Sequence, residues 1–121
     1  MFNKYILAAI ILLVIDFFFI FSVRNLFNNI ITTIQGEKMK INIMAASLAY
    51  LFLVVVYNYF IVRDNRGMLD AFILGVCIYG VYEFTNKALI KKWQTKAIIL
   101  DTIWGGVLFA LTTFVSQKIL S

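Results

Sequence analysis

Four apolar runs, at 5–23, 41–62, 68–90 and 97–120, dominate the chain, and no proline interrupts any of them. Each is about the 20 residues needed to cross a hydrocarbon core of roughly 30 Å. In lipid, backbone N–H and C=O groups must be satisfied within their own segment, so runs like these cross as helices. The fold class expected is therefore all-α, an integral membrane four-helix bundle forming a single transmembrane domain over 1–121. Composition agrees: 63% of the residues are hydrophobic and 14% charged, against about half and a quarter in soluble domains. Four spans leave both termini on one side of the membrane.

The connections are short, except the first. Within 25–35, Leu26, Phe27, Ile30, Ile31 and Ile34 fall at helical spacing, with Asn25, Asn28, Asn29, Thr32 and Thr33 opposite. That pattern predicts a short amphipathic helix lying in the interface between spans 1 and 2. Gly36 follows as a C-terminal stop. The second loop, RDNRG, is a tight polar turn. The third, KKWQTK, is basic, and its Trp93 reads as an interface anchor. The first segment resembles a signal peptide in length, but it lacks a clear small-residue cleavage site and Asp16 interrupts it. It reads as a retained first span.

The net charge of +5 belongs to residues flanking the spans, which points to a membrane surface and not to nucleic acid. Loops 24–40 and 87–96 hold Arg24, Lys38, Lys40, Lys87, Lys91, Lys92 and Lys96. The termini and second loop hold Lys4, Arg63, Arg66 and Lys118. Seven against four places loops 24–40 and 87–96 in the cytoplasm and both termini on the opposite side. Cys77 is the only cysteine and reads as a small buried hydrophobe. There is no histidine, so neither zinc catalysis nor a histidine proton relay is expected. No metal-ligand set, nucleophile–base pair or glycine-rich phosphate loop is recognisable, and no cofactor is implied.

Three carboxylates lie inside the apolar runs: Asp16, Glu83 and Asp101. An ionisable group at that depth costs several kcal/mol unless it is protonated, bonded or paired, and it marks a functional site by default. Asp16 precedes Arg24 by eight residues, Glu83 precedes Lys91 by eight, and Asp101 follows Lys96 by five. At about 1.5 Å per residue all three lie roughly 8–12 Å from the same membrane face. Ser47 and Tyr50 reach a matching depth on the second span. Tyr79, Glu83 and Asn86 share one face of the third span, and Asp101 and Trp104 one face of the fourth. Gly75, Gly80, Gly105 and Gly106 would let helices approach closely. The expected site is a cluster of these acids with Ser47, Tyr50, Tyr79, Asn86 and Trp104. Like charges a few ångströms apart in low dielectric cannot all ionise, so the group should titrate as a coupled unit. Asp70, Asn58 and Tyr59 lie toward the other face and read as interfacial.

The run YEFTNKALIKKW followed by LDTIWGGVL resembles a bacterial and viral membrane family catalogued as domain of unknown function 2177. Its members typically read YDLTNLATLKGWP and then VDLAWG. The first-span element VIDFFF is similar to that family's LDFIWLG. The resemblance covers nearly the whole chain and implies four spans in the same order. It carries Asp16, Glu83, Thr85, Asn86, Asp101, Trp104 and Gly105 onto family motif positions, with Tyr50 a weaker match. Glu83 stands where the family has Asp, Lys87 where it has an apolar residue, and Gln94 where it has proline. Bacterial members sit beside lipid-modifying genes, which implies a link to lipid chemistry. Richness in Ile, Phe, Asn and Lys suggests an AT-rich genome and, with the viral members, admits a viral source.

Three functions follow as expectations. The first is proton- or cation-linked handling of a small solute, where transport at this size calls for a homodimer or another membrane-protein partner. The second is a structural protein of a cellular or viral internal membrane. The third is a lipid-modifying enzyme or its accessory subunit. The acidic cluster favours the first.

Overall fold

The computed structural model describes residues 3–120, so the ends of the 1–121 domain lie outside the described residues. Four helices follow in order: α1 Lys4–Gln35, α2 Ile43–Tyr57, α3 Met68–Leu89 and α4 Thr95–Leu120, with a π-helical turn Asn58–Val62 continuing α2. All four are long and apolar enough to cross a membrane. Caps fix their ends. The Asn3 side chain accepts from the N–H of Tyr5 at 2.8 Å, and Asn42 accepts from the N–H of Ala45 at 3.1 Å, each taking up one of the donors that a helix start leaves open. Gly36, at φ 78°, closes α1 in the left-handed conformation that glycine adopts without a Cβ penalty.

The segment 25–35 is helical, but it is not a separate helix. It continues α1 to Gln35 without a break, because nothing in the sequence stops the helix before Gly36. Its apolar face does not lie on lipid. Ile30 is buried against Trp93, Ala97 and Ile98, with Leu26, Phe27, Ile31 and Ile34 packed around them. At about 1.5 Å per residue, the 32-residue helix is longer than a hydrocarbon core of roughly 30 Å, and its last turns pack on the α3–α4 turn and the start of α4. The Asn28 side chain accepts from the N–H of Met39 at 3.0 Å and folds the returning loop back onto α1.

Packing is uneven. The α3–α4 hairpin is the closest pair, α1 lies against α4, and α2 is the most peripheral span. Glycines explain the first. A Cβ at Gly75 would strike the backbone carbonyl of Gly105; one at Gly105 would strike the Tyr79 ring; one at Gly106 would strike Phe72 and Val76. This is the backbone approach that small residues permit in membranes, where apolar burial alone does not drive helices together. At Gly80 the space is not needed, since a Cβ would make only an ordinary contact with Thr102. A dry core of Ala8, Leu12, Tyr57, Ile61, Ala71, Leu108 and Phe109 fills the middle of the bundle. Cys77 is not part of it; the thiol is free and exposed on α3.

Candidate functional site

The buried face of α4 runs through Ala97, Asp101, Gly105, Leu108, Thr112 and Ser116, a helical stripe that brings one acid among the other helices. Asp16 enters from α1, one turn beyond the buried Leu12. Both Asp16 oxygens are occupied. The Trp104 indole N–H donates to Oδ1 at 2.8 Å, and the Tyr50 hydroxyl donates to Oδ2 at 2.5 Å. The second distance is that of a charge-assisted O–H···O bond. Phe19, less than one turn from Asp16, stacks on the Trp104 ring at 4.3 Å and 4°, so the indole is held in plane for its bond.

Glu83 is differently supplied. It is wholly buried, and Oε1 accepts from the Trp93 indole N–H at 2.8 Å. Oε2 is buried with no hydrogen-bond partner. The Asp101 side chain lies within hydrogen-bonding range of Glu83, and Asp16 lies within electrostatic range of Asp101. Trp93 itself is 3% exposed. Instead of anchoring in the interface, it folds from the α3–α4 turn into the bundle. Lys87 holds it there: its ammonium donates to the Trp93 carbonyl at 2.8 Å and to the Lys91 carbonyl at 3.3 Å. Among the described residues, ion pairs form only at Arg63–Asp64 and Arg66–Asp70, so no cation neutralises the three buried acids. Nor do three His, Cys, Asp or Glu side chains converge there as a metal site.

The profile of a family described as predicted membrane protein (DUF2177) matches residues 1–117. The chain belongs to this family. No curated protein and no solved structure gives a match. With four candidate spans, this DUF2177 protein is an integral, multi-pass membrane protein. The first of the two strings that carried the resemblance ends on Trp93, and its Glu83 lies close to Asp101 of the second. Lys87, a departure from the family pattern, is the residue that ties the third loop.

The remaining expected members of the cluster divide. Tyr79 lies over Gly105, within electrostatic range of Asp16 and Asp101. Asn86 is half-buried on α3, and no hydrogen bond of its side chain is seen among the described residues. Ser47 and Thr85 are exposed and stand outside the cluster. Thr85 is two residues from Glu83, which turns it to the opposite side of α3. Ser47 belongs to the part of α2 that stands off from the bundle; the only buried residue of α2 is Tyr57.

A second polar group lies toward the termini, where the sequence pattern carries little signal. The Tyr57 and Thr113 hydroxyls are 2.7 Å apart. Thr112 and Thr113 return their hydroxyls to the carbonyls of Leu108 and Phe109, each at 2.8 Å. Asn58 donates to the Tyr5 carbonyl at 3.2 Å and pins the π-helical turn to the start of α1. Asp70 pairs with Arg66 at 3.2 Å, and Tyr59 lies under the Arg63 guanidinium; both are exposed at that face.

Proposed function

We propose that this protein handles protons in the membrane, with Glu83 and Asp101 as a proton-binding pair linked to movement of a small solute. The observation that supports this reading is the wholly buried Glu83 carboxyl, one oxygen of which has no hydrogen-bond partner, with the Asp101 side chain close by. Two facing carboxylates repel in low dielectric unless a proton lies between them. A site with one missing donor and no cation takes up and gives up a proton with little rearrangement. Trp93 orients one Glu83 oxygen and leaves the other to the pair. Asp16 has a different part. With a donor on each oxygen it joins α1, α2 and α4 through interhelical hydrogen bonds, the role that polar groups commonly take inside membrane bundles. The Lys and Arg bias of the loops sets the pair toward the cytoplasmic leaflet.

The test is proton flux into liposomes that contain the full chain and a trapped pH-sensitive dye. Flux is expected in the native protein and lost in Glu83→Gln and Asp101→Asn. Flux retained in both variants, or no flux in native protein that is folded and inserted, would contradict the reading and leave the buried acids a structural role.

A further inference from the structure

The mechanism above uses one end of α4 and leaves the other unexplained. Beyond the acids, Leu12, Leu108 and Phe109 are fully buried and form a dry layer across the bundle. Past that layer the buried side chains turn polar again: Tyr57, Thr112, Thr113 and Ser116. Their hydroxyls are bonded within the bundle, Tyr57 with Thr113 and Ser116 to the Thr113 carbonyl at 3.3 Å, and space remains next to them. A cavity of about 40 Å³ lies beside them, bounded by Tyr57, Thr113, Ser116, Gln117, Lys4 and Arg66. A water needs about 10–15 Å³ of such space and two to four polar partners. This cavity has room for roughly two or three waters; Ile61, Val62 and Leu120 share its lining with the hydroxyls and the charged side chains. Arg66 is already committed to Asp70, and the Lys4 ammonium lies over the Tyr5 ring.

Two further details belong to the same end. The chain makes a π-helical turn at Asn58–Val62, directly after Tyr57, and such turns concentrate at functional sites. The Asn58 Oδ1 atom is buried with no partner, so an acceptor beside this turn awaits a donor.

We propose that the cavity at the termini end is a water-filled vestibule, and that its hydroxyls form the second half of a proton path. In the present conformation the Leu12–Leu108–Phe109 layer closes that path. Ser116 follows Leu108 by eight residues and Asp101 precedes it by seven, so the dry layer separates two polar ends each about 10–12 Å away along α4. The inference rests on the proton-handling reading for its second clause only. Hydration of the vestibule stands or falls independently.

Thiol accessibility separates the two. Cys77 is the single cysteine, so a Cys77→Ala background is silent. In it, Ser116→Cys and, as a second reporter, Thr113→Cys are compared with Leu108→Cys in the full chain in liposomes. The probe is a membrane-impermeant trimethylammonium methanethiosulfonate, added from each side in turn. Thiol reactivity follows access to water, so Ser116→Cys is expected to react about tenfold faster than Leu108→Cys, and only from the side of the termini. Equal, slow labelling of both the vestibule thiols and Leu108→Cys would overturn the vestibule. The path is tested by proton flux in Tyr57→Phe and Thr113→Val, where a severalfold fall is expected. Unchanged flux in both, with the vestibule labelled, would overturn the path while leaving the proton pair in place. Absence of flux in the native protein would instead remove the pair.

Discussion

Asp16 and Glu83 are both buried carboxylates, yet they are furnished unequally. Asp16 has a donor on each oxygen, from Trp104 and Tyr50. Glu83 has one donor, from Trp93, its other oxygen has no partner, and the Asp101 side chain lies close by. Burial is nearly the same for the two, so burial does not distinguish them. Hydrogen-bond supply does. A satisfied acid fastens helices together; an undersupplied one is what the proposed proton pair requires. The bundle keeps both because they hang on different helix pairs, Asp16 on α1 with α2 and α4, Glu83 on the α3–α4 hairpin.

The largest expected effect comes from prying that hairpin apart. Gly75→Val places side-chain atoms into the Gly105 carbonyl, and overpacking of this kind costs about 1–3 kcal/mol or more. Thermal unfolding in detergent should show the largest loss of any single change here, with proton flux abolished. Next is Asp16→Ala. It removes the acceptor of the half-buried Tyr50 hydroxyl and Trp104 N–H, at about 0.5–1.5 kcal/mol for each bond lost. The same melt should show a clear destabilisation, and Asp16→Asn a smaller one, since its amide oxygen keeps one acceptor. Glu83→Gln should differ in kind. Its oxygen still accepts from Trp93 and its amide offers a donor to Asp101, so the melting temperature should hold or rise, within about 1 kcal/mol, while proton binding is lost. A destabilisation as deep as that of Asp16→Ala would erase the distinction. The smallest effect is expected for Lys87→Leu, which frees an exposed turn: about 0.5–1.5 kcal/mol, with Trp93 fluorescence shifting toward a more polar environment.

Much of this was legible in the chain because membranes restrict the alternatives. Uninterrupted apolar runs predicted the four helices, and the three acids singled out inside those runs are all buried. The glycines of α3 and α4 pointed to the seam, although only Gly75, Gly105 and Gly106 are needed there. What failed is instructive. The apolar stripe of 25–35 shows that one face is covered, and lipid and Trp93 look the same to that pattern. Trp93 reads as an interface residue by position, but its bond to Glu83, its packing on Ile30 and the grip of Lys87 on its carbonyl turn it inward. Ser47 has the right depth, but depth says nothing of whether a peripheral helix closes on the bundle. The Tyr57–Thr113 pair carries no charge and so announces itself by no cost.

The most direct measurement is the infrared band of a protonated carboxylic acid, recorded on the folded protein in detergent at neutral pH and tested by its shift in D₂O. The account predicts such a band in the native protein, its loss or displacement in Glu83→Gln and in Asp101→Asn, and its persistence in Asp16→Asn. A band that survives unchanged in both Glu83→Gln and Asp101→Asn, or that disappears with Asp16→Asn, would contradict it.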